Sequence, residues 1–202
     1  MIKNIVFDMG NVLIRYNARA YTEKYVADKA EGDFLCEEVF HSIEWIKMDR
    51  GILTEEDAIA SIVERIPRAL QHYVPVLIQN WHTEIPPYAE MEDLVKRLKV
   101  NGYRIYLLSN TSARFHEFRV NIPALNYFDG EFISADYGML KPELTIFRTF
   151  YHHFLLDPEE CFFVDDLNVN IEAAELTGMK GFVYRGNIQA LKDTMKKEGI
   201  IL

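Results

Sequence analysis

The sequence predicts an α/β protein, a Rossmann-like parallel sheet core with an inserted α-helical cap domain. Three observations carry this reading. Short apolar runs, each sized for a buried strand, alternate with stretches of helical periodicity through the second half of the chain. Residues 16–87 show helical spacing with few strand-like runs. The chain has 202 residues, 49% hydrophobic and 26% charged, enough for one full core carrying a sizeable insertion. The expected division is 1–15 with 88–202 as the core and 16–87 as the helical cap.

Taken in order, Ile5-Val6-Phe7 is an apolar, partly β-branched run that stops at Asp8, and Gly10-Asn11 is turn chemistry, so Asp8 stands at the carboxyl end of a strand. From Tyr16 to about Pro87 four short helices are expected, broken at Gly32-Asp33, Asp49-Arg50-Gly51 and Pro67. Gly51 suits the position after a helix end, and Thr54-Glu55-Glu56-Asp57 resembles a capping box. Tyr88 to Val100 places Met91, Leu94, Val95 and Leu98 on one helical face, with acids early and bases late. A strand from Tyr103 to Leu108 runs into Ser109-Asn110-Thr111, and Ala113 to Val120 is helical. Phe132-Ile133, Cys161 to Val164 and Gly181 to Tyr184 read as further strands. Glu143 to Phe154, Val169 to Leu176 and Ile188 to Glu198 read as helices. Alternation of this kind builds a parallel sheet with a crevice at the strands' carboxyl ends.

Composition excludes several roles. With 22 Lys and Arg against 31 Asp and Glu, the formal charge is −9 and no basic cluster exists to grip a nucleic-acid backbone. No run of about 18 uncharged apolar residues is present, so no membrane span is expected, and the amino end turns acidic too soon for a signal peptide. Cys36 and Cys161, the two cysteines, make neither a disulfide framework nor a zinc spacing. A cytoplasmic protein, monomer or homodimer, is expected.

Four polar groups recur at equivalent places: Asp8 after the first strand, Ser109-Asn110 after the second, Lys141 before a helix, and Asp165-Asp166 after the fourth strand. Each alone reads equally well as a helix cap or a solvated turn. A parallel sheet brings all of them to one edge, where they amount to a carboxylate nucleophile, hydroxyl and amide donors, one cation and an acidic pair able to hold a hard metal. Six histidines make no metal spacing, and the aromatics of the strand-like runs read as core.

The segments Val6-Phe7-Asp8-Met9-Gly10-Asn11-Val12-Leu13, Leu107-Leu108-Ser109-Asn110-Thr111, Ser134 to Pro142 and Phe163-Val164-Asp165-Asp166-Leu167-Asn168-Val169-Asn170 resemble the haloacid dehalogenase-like hydrolase superfamily with a C1-type helical cap. The Asp-x-Gly-Asn-Val start is similar to the branch with α-D-glucose-1-phosphate phosphatase. The resemblance implies a Mg²⁺-dependent phosphoric monoester hydrolase of a small phosphorylated metabolite, a sugar phosphate favoured. It implies that Asp8 attacks phosphorus and, with the Gly10 carbonyl and Asp166, holds Mg²⁺, while Asp165 supports the metal from beside it. Ser109 and the Asn110 backbone would bind phosphoryl oxygens, and Lys141 would neutralise phosphate and nucleophile. Charge arithmetic also asks for the metal, since Asp8, Asp165 and Asp166 alone repel a phosphate dianion.

One position departs from the family pattern. Most phosphatases of the superfamily carry an acid two residues after the nucleophile, and here Gly10 stands there. Proton transfer by a positioned side chain contributes roughly 10²–10⁴-fold, so its loss slows catalysis without abolishing it and favours an ester with a weakly basic leaving oxygen. His41 and Glu44 are conceivable replacements from the cap. Trp45 and Arg50, with Tyr16, are candidates to face the crevice and select the substrate. Gly10 also keeps a metal-free 2-haloacid dehalogenase in view, although the acidic pair would repel a haloacid. A catalytically degenerate relative that binds a metabolite or a protein is the third reading.

Overall fold

The computed structural model covers residues 1–202 and describes every side chain except that of Glu84. In chain order its elements are β1 (Asn4–Phe7), α1 (Ala18–Tyr25), α2 (Lys29–Phe40), α3 (Ile43–Asp49), α4 (Glu55–Arg65), α5 (Tyr73–Asn80), α6 (Ala89–Val100), β2 (Arg104–Ser109), α7 (Phe115–Phe118), β3 (Gly130–Ile133), α8 (Ser134–Tyr137), α9 (Leu144–Phe154), β4 (Cys161–Asp165), α10 (Asn168–Leu176), β5 (Lys180–Val183) and α11 (Ile188–Lys197). Short 3₁₀ turns occupy Trp81–Glu84, Arg119–Asn121, Pro123–Tyr127 and Pro158–Glu160.

The strands form one sheet in the order β3-β2-β1-β4-β5, and all four pairings are parallel. Phe7 on central β1 lies opposite Leu107 of β2 on one side and Val164 of β4 on the other. The chain lays β2 and β3 on one flank of β1, then returns to lay β4 and β5 on the other. Ligands in open parallel sheets bind outside the carboxyl ends of the strands at such a reversal. Asp8 and Asp165 emerge there.

Side-chain alternation decides the two core layers. Ile5, Phe7, Ile105, Leu107, Phe162 and Val164 face one layer, and Val6, Tyr106, Leu108, Cys161 and Phe163 face the other. All of them are buried, which is why the strands read as unbroken apolar runs rather than as an alternating pattern. The first layer continues into the interior of α1–α5, and the second is closed by α9 and α10.

Five helices lie between β1 and α6, where the spacing predicted four, and Gly32 falls inside α2 instead of breaking it. Capping explains the difference. Asn17, Asp28, Ser42 and Thr54 each accept the backbone N–H three residues on, fixing the starts of α1 to α4. Gly32 is buried where α2 passes α1, with Thr22 and Val26 both 3.9 Å from the place its Cβ would stand. Pro75 falls in the first turn of α5, where no intrahelical donor is lost. The helix expected over 113–120 shortens to α7 and a 3₁₀ turn, and α8 is a short helix the spacing did not predict, while the other expected core elements agree to within two residues.

The two connections to the helical insertion run side by side. The Tyr88 N–H donates to the Leu13 carbonyl and the Arg15 N–H to the Pro86 carbonyl, both at 2.9 Å. Among the described residues no helix is long and apolar enough to cross a membrane.

Candidate active site

β1 delivers Asp8 to the sheet's carboxyl edge, and the Asp8 N–H still pairs with the Val164 carbonyl at 2.9 Å, so the residue keeps strand alignment. Beyond it the chain folds back, with the N–H groups of Leu13 and Ile14 donating to the Met9 carbonyl. Asn11 takes a left-handed conformation, φ 54°, which Asn tolerates better than most residues. From there its side chain donates to Asp166 at 3.0 Å and accepts from the Tyr16 N–H at 3.2 Å. The β1 and β4 loops are thereby tied together.

Lys141 is the buried centre of the site. Its Nζ donates to Asp8 Oδ1 at 2.8 Å, to the Leu108 carbonyl at 2.8 Å and to Asp165 Oδ2 at 2.6 Å, which uses all three ammonium protons. Its backbone is held by a reciprocal pair with the Asn110 side chain, Asn110 Nδ2 to the Lys141 carbonyl and the Lys141 N–H to Asn110 Oδ1, both at 2.9 Å. The Asn110 amide is thus occupied in positioning, and its backbone is the part left to face a ligand. Asp165 also accepts from the Leu167 N–H at 2.8 Å and from Asn170 at 3.0 Å.

Carboxylate oxygens of Asp8, Asp165 and Asp166 lie within 4.8 Å of one another. Burial pushes the Asp8 carboxyl up to about 6; Lys141 pulls it down, while Asp165 and Asp166 push it further up. Burial works against the Lys141 charge, yet Asp165 and Asp8 outweigh it and hold the ammonium above its ordinary value. Burial also raises Asp166, against the Asn11 hydrogen bond. Three carboxylates facing one ammonium form a site that awaits positive charge, and its donors are all hard oxygens, the set Mg²⁺ prefers. Asp165, already saturated with donors, suits a supporting place, whereas Asp8, Asp166 and the Gly10 carbonyl are the groups that could hold the ion.

Asp8, Gly10, Ser109, Asn110, Lys141 and Asp166 line one cleft of about 530 Å³, ordinary for a small-molecule site. Asp165 sits behind Lys141, fully buried. Of the three insertion residues proposed to face the crevice, Trp45 and Tyr16 line the cleft. Arg50 does not: its guanidinium pairs with Glu143 and donates to the Gly138 carbonyl, because α3 ends against the α8–α9 connection. Glu44 is held by Arg65 and Ser61 away from the cleft, and these hydrogen bonds overcome burial to hold it down to about 2. His41 reaches the cleft, paired with Glu37 at 2.9 Å.

Sequence reasoning missed Phe40, Asp49 and Trp81, which complete the far wall of the cleft with Tyr16 and Trp45. The rings interlock, Tyr16–Trp81 at 5.8 Å, Trp45–Trp81 at 5.7 Å and Phe40–Trp45 at 4.8 Å between centroids. One signal pointed to Asp49: an acid in the last turn of a helix opposes the macrodipole and needs another reason to be there.

A buried carboxylate at the reversal of a parallel sheet, beside a saturated lysine and an acidic pair, under a helical insertion, marks a hydrolase. The family model for haloacid dehalogenase-like hydrolases matches residues 2–178, and the chain belongs to that family. It is 30% identical to the sesquiterpene phosphatase astK of Aspergillus oryzae, over 89% of this chain and 88% of that one. It is 26% identical to the D-ribitol-5-phosphate phosphatase of Bacteroides thetaiotaomicron, over 90% and 91%. The fold is shared with a haloacid dehalogenase family enzyme of Bacteroides thetaiotaomicron crystallised with magnesium and inorganic phosphate. There the TM-score is 0.73 at 22% identity, covering 95% of this chain and 99% of the other.

Proposed function

We propose that the protein is a Mg²⁺-dependent phosphatase that hydrolyses a small phosphorylated metabolite through an aspartyl-phosphate at Asp8. One observation carries the reading: Lys141, buried, binds Asp8 and Asp165 at once in a cleft that Asp8 and Asp166 also line. The lysine aims the Asp8 carboxylate and remains beside it to stabilise charge on the equatorial oxygens of the transferring phosphoryl group. Ser109 and the Asn110 backbone, which line the cleft, would bind those oxygens, and Asn11 and Asn170 orient Asp166 and Asp165. Asp8, Asp166 and the Gly10 carbonyl, with Asp165 beside them, would hold Mg²⁺, which would supply Lewis-acid charge at the phosphate. Helices α1–α5, residues 16–87, act as the cap that closes over the ester and excludes water.

The missing acid at Gly10 favours a sugar phosphate with an anomeric leaving oxygen. The far wall of the cleft favours a different group. Tyr16, Phe40, Trp45 and Trp81 line it with aromatic surface, against which an apolar ester buries more area than a polar sugar. That the related astK is named a sesquiterpene phosphatase agrees with an apolar ester. Two free, buried thiols suit the cytoplasm as the setting.

A phosphate-release assay over sugar, polyol, aryl and isoprenyl monophosphates, with Mg²⁺ and with EDTA, tests these readings. Turnover dependent on Mg²⁺ and lost in Asp8→Asn is expected, with the apolar esters fastest. Anomeric sugar phosphates outrunning every apolar ester rejects the aromatic-wall argument. Halide release from 2-haloacids in EDTA indicates the dehalogenase instead, and ligand binding without beryllium fluoride trapping at Asp8 indicates a binding relative.

A further inference from the structure

Expelling an alkoxide from a phosphate ester leaves charge on an oxygen whose conjugate alcohol is a very weak acid, so the departing group needs a proton. The cleft holds few groups able to give one. Lys141 has all three protons engaged, and Asp8 is the nucleophile. Asp166 belongs to the acidic cluster, bonded to Asn11. His41 is exposed at the rim and paired with Glu37, and burial keeps the Tyr16 phenol well above its ordinary value. Asp49, at the carboxyl end of α3, is left.

Its position is unusually well fixed. The Asp49 carbonyl accepts from Ser134 Oγ at 2.5 Å, and the same hydroxyl accepts the Thr111 N–H at 2.9 Å, which links α3 to the loop after β2. Two residues on, Gly51 at φ 74° stands so close to Ala135 that a Cβ there would lie 2.1 Å from its carbonyl oxygen. Arg50 between them is bound to Glu143. Asp49 lines the cleft with Asp8, and its carboxyl, which accepts the Ser112 N–H, is an electrostatic neighbour of Tyr16. Tyr16 in turn borders the space that a side chain on Gly10 would enter, its Cβ 3.8 Å from that position.

We propose that Asp49, reaching in from the helical insertion, is the general acid and base of this active site and supplies what Gly10 lacks. This rests on the phosphatase reading above. In the first step an Asp8 oxygen bonds to phosphorus and the ester P–O bond breaks. The leaving oxygen takes the Asp49 proton, giving alcohol, aspartyl-phosphate and an Asp49 carboxylate. In the second step that carboxylate takes a proton from water as its oxygen bonds to phosphorus and the Asp8–phosphorus bond breaks. Hydrogen phosphate leaves, with Asp8 ionised and Asp49 protonated again. Burial holds the Asp49 carboxyl up to about 7, against the opposing pull of the Ser112 N–H, so it can both give and take a proton near neutrality. With an acid in place the demand for a weakly basic leaving oxygen disappears, and an ordinary apolar alcohol becomes an acceptable leaving group.

The test is the single-turnover rate of alcohol release, enzyme in excess, with Mg²⁺, for n-octyl phosphate and for p-nitrophenyl phosphate, in wild type and in the near-isosteric Asp49→Asn. Nitrophenolate leaves without a proton and octanol does not. The octyl rate is expected to fall about 10²–10⁴-fold while the nitrophenyl rate changes less than about tenfold, and phosphoenzyme should then accumulate because water lacks its base. The nitrophenyl arm doubles as the check that the variant is folded. Equal falls on both esters, or no fall on the octyl ester, overturns the proposal. Asp8→Asn run beside it separates the two levels: release that survives there rejects the nucleophile and the phosphatase reading, whatever the Asp49 ratio.

Discussion

At the scale of single residues, Lys141 carries the largest electrostatic burden in the molecule. Two carboxylates are buried against it, and a buried charge stripped of its partner costs far more than the pair itself stabilises. Lys141→Met should therefore lose turnover and also about 3–5 kcal/mol of unfolding free energy. Urea titration reads this, and Asp165→Asn added to Lys141→Met should recover part of it. A loss below about 1 kcal/mol contradicts a role for Lys141 in balancing buried charge. Asp8 and the Asp165-Asp166 pair were legible in the sequence because each ends an apolar strand run, and Lys141 because it stands with Pro142 just before a helix, all local signals. Asp49, Trp81 and Phe40 were not, because they reach the cleft only through the packing of helices far apart in sequence. Arg50 carried a local signal, a cation at a helix end, that the fold spends on Glu143.

At the scale of elements, the insertion is held together by capped, ion-paired helices. Glu44 at the start of α3 binds Arg65 at the end of α4 at 2.8 Å and Ser61 at 2.7 Å. Its carboxyl is held down to about 2 in the folded protein, below its ordinary 4.5. The stabilisation is therefore complete above the unfolded value and lost as pH falls from there through about 2. Its size is on the order of 1–3 kcal/mol. Glu44→Gln should lower the melting temperature clearly at pH 7 and little at about pH 2.5; a gap that does not shrink on acidification rejects the linkage. A second device fixes the opposite end of α3. Gly51→Ala meets the Ala135 carbonyl and a left-handed backbone together, so it should lower stability by about 1–3 kcal/mol, read as an unfolding midpoint, and displace Asp49. A variant as stable as wild type means that α3 is free to lift from α8. The Gly51 turn and the Thr54 cap were readable, since both are chemistry within four residues. The break assigned to Gly32 was misread, since its smallness serves the contact with α1 rather than a turn.

At the scale of the whole molecule, the parallel sheet gathers three acids and one base at one edge, while the insertion roofs them with aromatic rings and a fourth acid. Such a fold stores like-charge repulsion in its native state. A cation that binds only the folded arrangement must then stabilise the whole chain by mass action, about 2.7 kcal/mol at a hundredfold excess over its dissociation constant. For a chain of this size each kcal/mol moves the midpoint by roughly 2–4 °C, so saturating Mg²⁺ should raise the melting temperature by roughly 5–10 °C. Asp166→Asn removes one candidate ligand and part of the repulsion together. The variant should accordingly melt higher than wild type in EDTA and gain less from Mg²⁺, so that the two curves cross as the ion is added. A purely structural Asp166 makes no such crossing, and a wild-type midpoint unmoved by millimolar Mg²⁺ removes the metal from the site. Scanning calorimetry of both proteins across a Mg²⁺ titration, with phosphate absent, decides between these outcomes before any substrate is known.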